Sequence, residues 1–157
     1  MRYLHFLLVP IYRKIYPVSF YSVFNNSDTY FRYGSKDRKL YKKQMNYTGY
    51  VQDHHCIPKQ FKNHKVLKDT GYDVNMAYNI KIMPTKEGLK KLNLHPDTRL
   101  HYKGHVKYNK YIGIELDRIN NLPTLDEKKY TLWLILKHVK QFNTCLLYTS
   151  PSPRDGN

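Results

Sequence analysis

Two pairs of histidines constrain this chain more than any other feature: Asp53-His54-His55-Cys56-Ile57-Pro58 and His101-x-x-x-His105. Residues four apart on a helix share a face one turn above each other, so two imidazoles there can reach one cation at about 2.0–2.1 Å. Alone, that spacing favours a mere surface pair, because the chain has eight histidines and chance spacings are common. The first pair changes the reading. It falls where a short strand ends, and a strand sends neighbouring side chains to opposite faces. His54 can then ligate a metal beside His101 and His105, while His55 stays unligated and available as a base. Three imidazoles with an open position are the arrangement of a catalytic rather than a structural metal.

The surrounding pattern supplies elements to carry these residues. From Gly49 the chain reads as short extended pieces punctuated by Pro58 and by the turn-like Thr70-Gly-Tyr-Asp73. Residues 60–68 form a short helix on this reading. Asn79-Ile-Lys-Ile-Met-Pro84 alternates apolar Ile80 and Ile82 with an outward Lys81 and stops at a proline, as a half-buried strand does. After a loop through Pro96, residues 101–119 read as one helix, with His101, His105, Tyr108, Ile112, Leu116 and Ile119 on one face. Gly104 and Gly113 each cost such a helix about 1 kcal/mol against alanine, so packing or a ligand must compensate. A second helix starts at the capping box Thr124-x-x-Glu127 and carries an apolar stripe of Tyr130, Trp133, Leu136, Val139 and Phe142.

Charge proposes a partner. Against 12 acidic residues stand 27 lysines and arginines, a formal charge of +15. A surplus that large answers a polyanion, with a merely solvated lysine-rich surface as the bland alternative. Residues 1–45 mix aromatics with the cluster Lys36-Asp-Arg-Lys-Leu-Tyr-Lys-Lys43 and show no clean helical or alternating period. Cations there suit phosphates and rings suit bases, which makes Lys39, Lys42 and Lys43 candidate nucleic-acid contacts, along with Lys103 and Lys107 near the histidine pair. DNA is favoured over RNA.

The order His-His-x-Ile-Pro, Gly-Tyr-Asp-x-Asn, Asn-Ile-x-Ile-x-Pro and His-x-x-x-His followed by Tyr-Asn resembles the AHH branch of the HNH nuclease superfamily, from about Asp53 to Ile119. The resemblance implies an endonuclease of α+β class: a small ββα-metal (His-Me finger) core with an extra C-terminal helix and a basic N-terminal extension. It matches His54, His101 and His105 to the metal ligands and His55 to the histidine that activates water. Asn79 matches the asparagine that holds the base-bearing loop, and a 5′-phosphate product follows. Asp53 stands where the family name places alanine. Related HNH branches carry an aspartate ligand there, so Asp53 is a candidate extra ligand or a support behind the ligands. Gly104 lies one residue later than the family's usual glycine.

The reaction expected is metal-dependent phosphodiester hydrolysis. Three imidazoles accept Zn, Ni, Co or Mn, with Mg less natural. The competing reading is a non-catalytic, metal-stabilised nucleic-acid-binding protein, in which His55 has no task. His64 and His95 are isolated and read as local hydrogen-bond partners. With only Cys56 and Cys145, neither a disulfide scaffold nor a thiolate zinc site is expected, which fits an intracellular protein. The apolar run at residues 3–12 is interrupted by His5 and Pro10, lacks a cleavage signature and falls short of the roughly 20 apolar residues of a membrane span; it reads as a strand or arm. A viral or exported-toxin setting stays open. Residues 46–143 are read as the nuclease domain. Residues 144–157, with the run Cys145-Leu-Leu-Tyr-Thr-Ser-Pro-Ser-Pro-Arg-Asp155, read as translated sequencing adapter, the alternative being a genuine Ser/Pro-rich tail.

Overall fold

The structure, a computed structural model, describes residues 23–24, 31–98, 100–101 and 105–142. The apolar run at 3–12, Lys103, Gly104, the side chain of Phe142 and the tail 144–157 lie outside the described residues. The chain order is α1 (Lys36–Gln44), β1 (Val51–His55), a 3-10 turn (Lys59–Phe61), α2 (Lys65–Thr70), a second 3-10 turn (Ala77–Asn79), β2 (Ile80–Pro84), α3 (Lys86–Lys91), α4 (Val106–Asn120) and α5 (Leu125–Phe142). This is a mixed α+β architecture.

The two strands form an antiparallel pair in which His54 faces Lys81 and His55 faces Ile80. Directly opposed residues share a face of the sheet, so Lys81 lies on the same side as His54. This corrects the simple alternation expected for β2. Met83 is buried with His54, Ile82 is half-buried, and Lys81 is half-buried with its Nζ donating to the Lys140 carbonyl at 2.9 Å. A lysine can take an inward-facing position when its ammonium reaches a carbonyl and only the alkyl stem is covered.

The core lies between α2, α4 and α5. Tyr108, Ile112, Leu116 and Ile119 of α4 are buried at the expected spacing, and α5 contributes Leu132, Leu136 and Val139. Trp133, expected on the buried stripe, is only partly covered, and Leu132 takes the fully buried place beside it. Gly113 has its role in packing: a Cβ there would stand 3.2 Å from the Phe61 ring. The capping box is formed as the sequence indicates, with the Thr124 N–H donating to Glu127 at 3.0 Å and the Glu127 N–H donating to Thr124 Oγ1 at 3.2 Å.

Two helices escape the hydrophobic pattern. The buried side chain of α1 is Arg38 rather than an apolar residue, so no apolar stripe marks the helix; Ser35 caps it by accepting from the Arg38 N–H. The loop expected through Pro96 contains α3, capped by Thr85, whose Oγ1 accepts from the Gly88 N–H at 3.0 Å. Gly88 packs directly on the Tyr50 backbone, where an added Cβ would meet the carbonyl oxygen at 1.8 Å. That contact docks α3 beside the start of β1.

Candidate metal centre and base

His54, His101 and His105 converge although they come from three different local structures. Their ring centroids form a near-equilateral triangle of 5.4, 5.1 and 5.2 Å. One nitrogen from each lies within 4.8 Å of the others. Strand β1 presents His54. His101 lies outside any helix or strand and donates its N–H to the Pro84 carbonyl at the end of β2, 3.0 Å away. His105 is the N-cap of α4, and its carbonyl accepts the Asn109 N–H at 2.7 Å.

This corrects the expected 101–119 helix. The helix begins at Val106, so His101 and His105 are not one turn apart on it. The His101 N–H is committed to β2, and a glycine at 104 gives little propensity to extend the helix upstream. The backbone bond to Pro84, rather than a shared helical turn, places His101 beside His54 and His105. Tyr108 supports the group from below: it is fully buried, its ring lies 5.7 Å from His54, and its hydroxyl donates to the Cys56 carbonyl.

The triangle has the character of an uncompensated donor set. His54 Nε2, His101 Nδ1 and both ring nitrogens of His105 are buried without a hydrogen-bond partner among the described residues. Burying polar atoms unpaired costs free energy that a ligand would offset. Burial, with a smaller contribution from the neighbouring imidazoles, pushes the His54 pKa down to about 3. Burial likewise holds His101 and His105 below their ordinary values. All three are therefore neutral near pH 7, the form that ligates a metal. The donor set fits a divalent ion held by imidazole nitrogen.

His55 stands apart from this group. Its Nε2 lies 3.1 Å from Asn75 Oδ1, its ring packs edge-on against Tyr33 at 4.6 Å, and Lys59 Nζ lies 5.4 Å from the centre of that tyrosine. Burial lowers its pKa, and the Asn75 hydrogen bond works in the other direction. Asn79 acts on the loop rather than on the ring. Fully buried, it accepts from the Ile57 N–H at 2.7 Å and the Tyr72 hydroxyl at 2.8 Å, and donates to the Ile57 and Val74 carbonyls at 2.9 and 2.6 Å. The residue touching the imidazole, Asn75, was not singled out from sequence. Its only signal was its place in Gly-Tyr-Asp-x-Asn, which gives no hint that its side chain reaches His55.

Asp53 is outside the triangle. It lies 3.1 Å from Arg38 Nε and 2.8 Å from Lys42 Nζ, on the opposite face of β1 from His54. A carboxylate buried where the family has alanine needs compensating charge, and α1 provides it. Lys42 is thereby half-buried in an internal ion pair, whereas Lys39, Lys43 and Lys107 are exposed. His64 caps α2 and meets Asp117 at 3.0 Å; His95 accepts the Asp97 N–H. No helix among the described residues is long and apolar enough to cross a membrane.

A family model described as a nuclease family of the HNH/ENDO VII superfamily with conserved AHH matches residues 35–139. No curated protein and no solved structure matches the chain.

Proposed function

The chain belongs to this AHH nuclease family of the HNH/ENDO VII superfamily, and from that premise we propose that it is an endonuclease hydrolysing phosphodiester bonds of nucleic acid, DNA in preference to RNA. The observation that carries the reading is a division of labour between neighbours. His54 joins His101 and His105 in a buried set of unpaired donors, while His55 is turned away and held by Asn75. A metal that only tied strand to helix would give His55 no such task.

In this reading His54, His101 and His105 hold a divalent ion, Zn, Mn, Ni or Mg. Bound there, the ion supplies Lewis-acid stabilisation of charge growing on phosphate oxygens. His55 is the general base. With Nε2 facing an amide oxygen, its proton belongs on Nε2, which leaves the Nδ1 lone pair to take a proton from the attacking water. Its lowered pKa keeps that lone pair free at neutral pH. Asn79 fixes the backbone at Ile57, two residues beyond the base, and Tyr108 ties Cys56 to α4. Exposed Lys39, Lys43 and Lys107 would meet the phosphate backbone, with Lys103 near Lys107 in sequence. Lys42 serves Asp53 first.

The test is incubation of supercoiled plasmid and of RNA with purified protein across a panel of divalent metals, with a chelator control. Metal-dependent nicking that EDTA removes is the expected result. Absence of cleavage with every metal, at protein loaded to one ion per chain, would overturn it.

A further inference from the structure

Residues 31–34 precede the region the family model matches, yet they touch the base. Ser35 donates its N–H to the Arg32 carbonyl at 2.9 Å, closing a tight turn that runs directly into the capped start of α1. Two left-handed residues shape it, Phe31 at φ 59° and Gly34 at φ 78°. A phenylalanine in that conformation is disfavoured and persists only where surroundings hold it. Here Arg38 Nη1 donates to the Phe31 carbonyl at 2.8 Å.

So fixed, the turn makes three contacts on the base side. The Tyr33 N–H donates to the Asn75 carbonyl at 2.9 Å, and Arg32 pairs with Asp73, whose own Oδ1 accepts the Asn75 N–H at 2.9 Å. Asn75 is thus gripped through both backbone groups, and its side chain reaches His55. The third contact is the Tyr33 ring against the His55 ring, inclined at 61°. A single hydrogen bond at Nε2 fixes one point of an imidazole and leaves rotation about that bond free. An aromatic ring at its side removes this freedom. Tyr33 is 41 % exposed, so its ring does little for the core.

We propose that Arg32 and Tyr33 are positioning residues for the general base: this upstream turn clamps the Asp73–Asn75 turn and aims the His55 imidazole at the attacking water. The proposal rests on reading His55 as the base. A misaim of about 1 Å costs on the order of 100-fold in rate. Tyr33→Ala should therefore lower kcat between about 10- and 100-fold with KM changed less than about 3-fold, and Tyr33→Phe should restore most of kcat because the ring returns. Arg32→Ala should lower kcat in the same way, with Arg32→Lys recovering it.

Kinetics on plasmid DNA with metal-loaded protein, beside ring nitrogen NMR of His55 in the metal-free protein, test this. Wild type should show one dominant tautomer protonated at Nε2, and Tyr33→Ala and Arg32→Ala should show averaging. Unchanged kcat and an unchanged tautomer in both folded alanine variants would overturn the proposal. So would a rise in KM alone, which marks Tyr33 as a substrate contact. If His55→Ala cleaves like wild type, the base assignment fails instead, and the NMR result still reports whether the turn orders the ring.

Discussion

Replacing Asn79 with alanine removes four hydrogen bonds from a side chain with no exposed surface. A neutral hydrogen bond contributes about 1 kcal/mol net, while a buried donor left unpaired costs about 1–3 kcal/mol. Two donors are stranded, the Ile57 N–H and the Tyr72 hydroxyl; the two carbonyls lose partners less expensively. One water entering the space left by the amide could serve two or three of the four groups. Balancing these, the loss should be about 3–4 kcal/mol, a large part of the 5–15 kcal/mol typical of a domain. Trp133, the single tryptophan, packs against the core and reports unfolding in a urea titration by fluorescence. A loss below about 1 kcal/mol would refute the reasoning. Asn79→Asp sharpens it. One oxygen still accepts from Ile57 and Tyr72, but the other meets two carbonyls, an acceptor against acceptors. The carboxyl must bind a proton to fit, so its pKa is raised on folding. A raised folded pKa means stability present at low pH and lost as pH rises through that value. The aspartate variant should gain on wild type as pH falls from 7 to 4, and a flat difference would count against this geometry.

His55→Ala should abolish nicking yet bind metal with near-wild-type affinity by calorimetry; lost binding would put His55 among the ligands. His101→Ala and His105→Ala should each weaken metal binding and cleavage together, and normal affinity in both would sink the three-histidine centre. The metal-free protein should lose stability as pH drops. The His54 pKa falls from 6.5 unfolded to about 3 folded, so the unfolded chain binds more protons between those values. The cost is on the order of 2 kcal/mol at pH 5, and a urea midpoint identical at pH 7.5 and 5 contradicts it. Neutralising Lys39 and Lys43 together should weaken DNA binding and flatten its salt dependence at unchanged single-turnover rate; an unaltered slope makes α1 a solvated face. Gly88→Ala should destabilise by several kcal/mol through its clash with Tyr50, read by the same urea titration.

The residue types and their order were enough to identify the histidines, the family they resemble, the capping box of α5 and the apolar face of α4. Each is a local or periodic signal, carried by spacing along one element. The family resemblance also placed Asn79 with the loop that follows His55. What the sequence could not show were contacts between elements. The helical reading of His101-x-x-x-His105 brought the right residues together for the wrong reason, because a backbone hydrogen bond to Pro84 holds His101 and no side-chain pattern encodes that bond. Helix α1 was hidden because its buried residue is Arg38, charged and compensated by Asp53. Asp53 looked like a ligand until strand pleating turned it to the face opposite His54. Asn75 and Tyr33 reach His55, and Arg32 reaches Asp73, only because two turns distant in sequence meet beside the imidazole. Side-chain period belongs to a single element and survives in the sequence; the meeting of separate loops depends on the whole fold, and only the tertiary structure decides it.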